Sequence, residues 1–167
     1  MPQGPAARTT DNVAHPLPPV LMPGPGSLNV FIGFLPAWRG IPLAAVAALQ
    51  AAKTAADVAV NVSMAATAAA AGTPGAPAAY AAEQAMKASM LASMSSAISG
   101  AAASGADIHL CVTPSPVPPH GPGVVITGSA TVQVNFLPQS RMGDTILEPI
   151  GPPNTIVKGE MTVIVGG

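Results

Sequence analysis

The pattern of apolar and polar positions divides the 167-residue chain into three parts. In residues 1–40 and 107–167, short runs of alternating apolar and polar residues stand between many glycines and prolines, which is typical of short strands and tight turns. Residues 41–106 are instead dominated by alanine, which takes roughly two positions in five and favours helix. We therefore expect an α+β protein, in which a small β-rich body of short repeated strands is interrupted by an inserted helical hairpin.

The alanine-rich part predicts two helices joined as a hairpin. Residues 72–77 contain two glycines and two prolines, and this breaker separates a helix over about Pro42–Ala71 from one over about Pro77–Ser99. Each helix carries an apolar stripe, and we expect the two stripes to face each other. The stripe positions are Leu43, Val46 and Leu49 on the first helix and Met86, Met90, Leu91, Met94 and Ile98 on the second.

The environment of this hairpin stays open at the level of sequence. One alternative is a soluble, packed hairpin, a second is a hairpin that enters a membrane, and a third is a binding site for a chaperone or another partner. Ala88–Ala106 has 19 residues without a charge, which is long enough to span a bilayer, but its alanines, serines and glycines are weakly apolar. Lys53, Asp57 and Asn61 on the first helix would be costly in hydrocarbon.

The two flanks contain an internal repeat. Residues 26–39 align with residues 128–141 without a gap, and seven of the fourteen positions are identical, including a closing Phe-Leu-Pro and an arginine three residues later. Residues 162–167 are a shorter third copy. We expect a pseudo-threefold body, because units this small cannot bury an apolar face alone. The pairs expected to share one strand face are Val30 and Ile32, Val132 and Val134, and Val163 and Val165.

Composition and charge narrow the class of protein. Only 8% of the residues are charged, against about 25% in an ordinary soluble domain, and the formal net charge is -1. Without a basic stripe to neutralise phosphates, nucleic-acid binding is not expected. Residues 1–11 lack the apolar core of a secretory signal, and the single cysteine excludes an intramolecular disulfide.

The three histidines and the single cysteine all lie in the two flanks. In a strand over residues 107–111, His109 and Cys111 would share a face and could bind one metal ion. His120 follows a proline-rich loop, and His15 returns to the same place if the ends of the helical insertion lie close together. Three imidazoles and one thiolate make a closed, structural zinc site. The alternative is a set of unrelated loop histidines and a small buried cysteine.

The sequence lacks the common catalytic motifs. It has no Gly-x-Ser-x-Gly elbow, no phosphate-binding loop ending in Gly-Lys-Ser/Thr and no His-Glu-x-x-His. Its seven acidic residues are scattered, and no pair suggests an acid and a base. We therefore do not expect an enzyme; a zinc hydrolase would need water in place of one of the four ligands.

Three motifs in the flanks are similar to those of a known family. The chain opens with Pro5-Ala6-Ala7-Arg8, and the repeats end in Pro36-Ala37-Trp38-Arg39-Gly40 and in Pro138-Gln139-Ser140-Arg141-Met142-Gly143-Asp144. With the closing segment 151–167, the chain resembles the PAAR-repeat family, the small conical proteins that sharpen the spike of type VI secretion systems and related contractile injection machines. The resemblance covers 1–40 and 107–167 as a discontinuous spike-tip domain, with 41–106 as the helical insertion.

The resemblance implies a β-rich cone whose base docks on a trimeric, β-helical spike protein and whose tip holds zinc through three histidines and one cysteine. The zinc would stabilise a tip too small to have its own core. It also implies synthesis in the bacterial cytoplasm and delivery by the apparatus to the exterior or to a target cell. On this sequence the zinc ligands would be His15, His109, Cys111 and His120. The residues expected to contact the spike are Val132, Val134, Val163 and Val165.

Residues 6–15 also resemble the short N-terminal motif of PAAR effectors. In those proteins a helical, often membrane-active region follows the motif, the helices are bound by a dedicated chaperone, and a toxin domain comes last. This sequence ends at Gly167, directly after the last predicted strand, which favours a stand-alone tip that carries effectors. The alternative is a membrane-active or chaperone-bound effector, or its N-terminal fragment, whose hairpin inserts in the target membrane.

Overall fold

The computed structural model describes residues 3–14, 20–111 and 121–167, without the side chain of Cys111. The predicted α+β class is confirmed, since two long helices stand between two groups of short antiparallel strands. The helices are α1 (Leu43–Ala70) and α2 (Ala76–Ala102). The strands are β1 (Gly4–Ala6), β2 (Phe31–Ile32), β3 (Leu35–Pro36), β4 (Ile108–Cys111), β5 (Gly121–Val125), β6 (Gln133–Val134), β7 (Leu137–Pro138), β8 (Thr145–Leu147), β9 (Asn154–Thr155) and β10 (Glu160–Val165).

The helical hairpin lies close to its predicted bounds. Pro42 caps the start of α1, and Pro77 lies in the first turn of α2, where a missing N–H is harmless because the first N–H groups of a helix have no acceptor within it. Between the helices Gly72 adopts a φ of 78°, in the left-handed region that glycine reaches without strain. Local propensity therefore sets both helices and the turn between them.

The two helices pack against each other and, at their base, against the strands. The predicted stripe on α2 is buried there at Ile98 and Met94, and Ala102, one turn beyond the stripe, is buried as well. The stripe on α1 is buried at Leu49, whereas Leu43 remains 48% exposed. Helices and strands thus share one hydrophobic cluster. Its buried members are Ile41, Leu49, Ala56, Met94, Ile98, Ala102, Ala106, Val124, Ile126, Leu137 and Leu147.

The sequence repeats form two β-hairpins, β2 with β3 and β6 with β7. In the first, Gly33 and Phe34 have φ of 54° and 67°; in the second, Asn135 and Phe136 have φ of 53° and 64°. Positive φ at both central residues is the type I′ pattern, whose twist matches that of paired strands. Glycine and asparagine tolerate it, but a phenylalanine adopts it at a cost of about 1–2 kcal/mol.

The two ends of the chain form the third unit. β1 pairs antiparallel with β10, so that Gly4 lies opposite Val165. β10 contains most of the short third copy of the repeat, and its pairing with β1 takes the place of a hairpin with a turn. The sequence repeat indicated this copy but not its partner strand.

The three units contact one another in a ring. The hydroxyl of Ser27 in the first unit donates to Oδ1 of Asn135 in the second at 2.6 Å. Arg141 of the second unit donates to the carbonyl oxygen of Gly167 in the third at 2.7 Å. The turn of the first unit fits against the carboxylate of Glu160 in the third. Each unit therefore contacts both of the others.

The remaining strands form one antiparallel sheet in the order β4-β5-β8-β9. Its central residues are buried on both faces. Val124 and Leu147 belong to the cluster shared with the helices. Val125 and Ile146 point to a second cluster around Trp38. The sheet thus joins the helical hairpin to the repeated units.

Candidate metal centre and hairpin surface

Three buried arginine–aspartate pairs occupy equivalent places in the three units. They are Arg8 with Asp11, Arg39 with Asp107, and Arg141 with Asp144. In each pair the arginine main-chain N–H donates to the aspartate at 2.7 or 2.8 Å. The guanidinium Nη2 donates to the other carboxylate oxygen at 2.9 to 3.1 Å. The three units are therefore repeated in structure, although Asp107 does not follow its arginine at the spacing seen for Asp11 and Asp144.

The second pair spans the helical insertion. In the other two pairs the aspartate lies three residues after the arginine, whereas both helices separate Arg39 from Asp107. Asp107 also accepts a hydrogen bond from the main-chain N–H of Gly26 at 3.0 Å. The ends of the insertion thus meet where the other units have a two-residue turn, as the zinc hypothesis required.

A closed ring of backbone hydrogen bonds joins the three units. Ala7 donates to the carbonyl of Ser140 at 2.9 Å, Ser140 donates to Trp38 at 2.9 Å, and Trp38 donates to Ala7 at 3.0 Å. All three residues are fully buried, and each directly precedes the arginine of its unit. This ring marks a pseudo-threefold axis and agrees with the predicted threefold body.

Two acidic side chains of these units have shifted pKa values. The carboxylate of Glu160 accepts hydrogen bonds from Thr162 and pairs with Arg8, and these contacts lower the pKa of Glu160, Thr162 being the larger cause. Burial instead raises the pKa of Asp144, although its arginine partner opposes the shift. As the pH falls, the contribution of Glu160 to the stability of the fold therefore decreases, whereas that of Asp144 increases.

The tips of both hairpins present a phenylalanine to solvent. Phe34 is 99% exposed and Phe136 is 94% exposed, each from a left-handed backbone position. Strained, exposed aromatic side chains at equivalent positions gain nothing from folding, and such positions cluster at functional sites. Further apolar side chains of the three units are exposed, and with the two phenylalanines we call them the hairpin surface. These side chains are Leu28, Phe31, Val132, Met161, Val163 and Ile164.

The four valines expected to contact a spike lie in two environments. Val132 and Val163 are 38% and 37% exposed and belong to the hairpin surface. Val134 and Val165 are only 8% and 4% exposed. The two valines of each pair therefore differ in exposure, and the expected contact of all four with a spike stays a prediction.

His109 is the predicted metal ligand that the structure describes in full. It lies on β4, and its side chain is almost completely buried. Nδ1 lies 2.9 Å from the carbonyl oxygen of Val20. Because a carbonyl oxygen only accepts hydrogen bonds, Nδ1 donates to it, and Nε2 is the ring nitrogen that could bind a metal ion. An imidazole held in this way by a backbone carbonyl is typical of metal-binding histidines.

A fully buried carboxylate lies beside this imidazole. Nε2 of His109 is 4.0 Å from Oε1 of Glu148. The two residues flank Gly123 of β5, which is opposite His109 in the sheet. A Cβ at Gly123 would lie 3.1 Å from Cγ of Glu148 and 2.7 Å from Cγ2 of Ile146. The glycine therefore leaves room for both side chains.

The other predicted ligands cannot be placed against His109. His15, His120 and the side chain of Cys111 lie outside the described residues. Within the described ranges, no three His, Cys, Asp or Glu side chains are grouped closely enough to hold a metal ion. The described part of the site, a buried and oriented imidazole facing a carboxylate across a glycine, fits zinc by the type of its donors.

Sequence reasoning missed Glu148 and the pairing of Arg39 with Asp107. A signal for the pairing exists in the spacing of the units. Arg8–Asp11 and Arg141–Asp144 share one Arg-x-x-Asp pattern, and the missing aspartate of the first unit could have been sought after the insertion.

Comparisons with family models, curated proteins and solved structures find no match to this chain.

Proposed function

We propose that the protein is a non-enzymatic, zinc-stabilised spike tip that caps the trimeric spike of a contractile injection machine such as a type VI secretion system. The observation that carries this proposal is the pair of exposed, left-handed phenylalanines, Phe34 and Phe136, on a body with pseudo-threefold construction. A threefold body can place similar apolar groups against all three chains of a trimer. Delivery from the bacterial cytoplasm, with effectors carried on the tip, follows from that role.

The proposed zinc would be held by His15, His109, Cys111 and His120. When bound, it would crosslink the N-terminal segment, β4 and the loop that follows β4. Such a crosslink is useful here because the short strands alone bury little, and metal binding contributes directly to folding free energy. His109, with its Nδ1 anchored at Val20, is oriented for this task before any ion binds.

Docking is tested by a pull-down with the cognate trimeric spike protein. We expect the wild-type protein to form a complex at micromolar concentration and the double variant F34S/F136S to lose it. The matched control is V58S/V62S, which also removes two exposed apolar side chains, but from α1. Absence of a wild-type complex, or equal binding by F34S/F136S, would sink the proposal.

The metal is tested by elemental analysis and thermal unfolding. We expect about one zinc ion per chain and a lower melting temperature after chelation, because the bound ion stabilises only the folded state. A chelated protein that keeps its melting temperature would refute a structural zinc site.

One observation favours the second candidate function, a hairpin that enters a target membrane. A continuous exposed face of α1 carries only alanine and valine, while the four charged side chains of the hairpin are paired, Lys53 with Asp57 and Lys87 with Glu83. By length and composition α1 could cross a membrane, since its best window has a mean hydropathy of 1.4 and is only 17% buried. The exposed face consists of Ala44, Ala48, Ala51, Ala55, Val58, Val62, Ala66 and Ala69.

Vesicle flotation tests this candidate. We expect the protein to float with phosphatidylcholine–phosphatidylglycerol vesicles and to release an enclosed dye, and V58D/V62D to abolish both effects. V132D, which adds a charge to the hairpin surface instead, is the control and should float like the wild type. A wild-type protein that stays with the unbound fraction would rule the candidate out.

A further inference from the structure

Three potential ligand residues share one spacing in the sequence relative to the aspartates of the arginine–aspartate pairs. His15 comes four residues after Asp11, Cys111 four after Asp107, and Glu148 four after Asp144. Two of these residues belong to the proposed zinc set, and the third is a carboxylate.

The sheet brings this carboxylate to the one histidine whose geometry is known. Glu148 follows β8 directly, and β8 and β4 both pair with β5, on its two sides. Across β5 only Gly123 lies between His109 and Glu148, so their side chains approach to 4.0 Å. Both side chains are essentially excluded from solvent.

The charge of the proposed zinc set indicates what Glu148 contributes. Three neutral imidazoles and one thiolate leave a zinc ion with a net charge of about +1. A buried net charge is unfavourable unless an opposite charge lies close by. A carboxylate facing Nε2 of His109 has the sign and the place to balance it.

We propose that Glu148 is a member of the metal centre and supplies the negative charge that balances the bound ion. Gly123 makes this possible, because a glycine on β5 leaves space for Glu148 to approach His109. This inference rests on the proposed zinc site. It extends that site to a residue outside the His–Cys set, one that follows β8 and lies four residues after the aspartate of the second unit.

The test compares zinc affinities of the full chain by competition with a chromophoric chelator. E148Q keeps the shape of the side chain and removes its charge, and we expect zinc to bind 10- to 100-fold more weakly, the usual effect of losing a partner of a metal ligand. E148D keeps the charge and should recover part of the affinity. The matched control is E83Q, which neutralises another buried glutamate, on α2 and paired with Lys87, and should bind zinc like the wild type.

Unfolding of each variant with and without zinc separates this role from a merely structural one. In E148Q the increase in melting temperature on adding zinc should be smaller than in the wild type and in E83Q, because that increase depends on zinc affinity. If E148Q binds zinc like the wild type, the inference is overturned while the zinc site stands. If the wild-type protein binds no zinc, both fail, and the spike pull-down remains a separate measure of docking.

Discussion

Asp107→Asn tests whether one buried ion pair closes the helical insertion. The carboxylate of Asp107 accepts from the main-chain N–H of Gly26 at 3.0 Å and from that of Arg39 at 2.8 Å. It also accepts from Nε and Nη2 of Arg39, both at 2.9 Å. The Arg39 and Asp107 side chains are only 11% and 1% exposed, so water cannot replace the lost charge.

The expected loss follows from this burial. Leaving one charge of a buried pair uncompensated costs about 3–5 kcal/mol. For a chain of this length each kcal/mol shifts the melting temperature by about 2–4 °C, so we expect a fall of about 6–20 °C. The matched control is D57N on α1, where the Asp57 side chain is 47% exposed and pairs with Lys53 one turn away. That pair is worth about 0.3–0.5 kcal/mol.

Two probes make the assay specific. Trp38 is the only tryptophan, is fully buried and directly precedes Arg39, so its fluorescence reports the repeated units. Far-ultraviolet circular dichroism reports mainly the helices. In urea unfolding with zinc present, both signals should report a lower free energy of unfolding for D107N than for the wild type. A loss within about 1 kcal/mol of that in D57N would refute the closing role.

Three further predictions concern the shared core, the hairpin tips and the response to acid. I98A should cost about 2–5 kcal/mol and shift the fluorescence and dichroism transitions together, since Ile98 is fully buried in a cluster common to helices and strands; two separated transitions would contradict this. F34S/F136S should change the unfolding free energy by no more than about 0.5 kcal/mol in urea, because both side chains are exposed, and a larger loss would assign them a role in the core. The lowered pKa of Glu160 means that its ionised form stabilises the fold above the unfolded-state pKa of about 4.3 and that this contribution disappears as the pH falls through the lower folded-state value. The melting temperature of the wild type should therefore fall towards that of E160Q in this acid range, and a constant difference between the two proteins would contradict the assignment.

The helices and the hairpin turns could be read from the sequence because their causes are local. Alanine takes roughly two positions in five between Leu43 and Ala102 and favours helix, and Gly72 with its neighbours supplies the reversal. The repeat of Val-x-x-x-Phe-Leu-Pro located both hairpins, since turn type depends on a few adjacent residues.

The burial of particular side chains could not be read in this way. Alternation placed Val132 with Val134 and Val163 with Val165, but one member of each pair is buried and the other exposed. In strands as short as these, a side chain's environment depends on which neighbouring unit covers it, and that is decided by the ring of three units.

The sequence by itself determined the α+β class, the alanine-rich hairpin and the existence of a repeated unit, because these depend on propensities and patterns within a few residues of one another. Only the tertiary structure decided that β1 completes the third unit with β10, that Arg39 finds its aspartate beyond two helices, and that Glu148 lies against His109. These contacts join residues far apart in the chain, and the packing of all three units decides which of them meet.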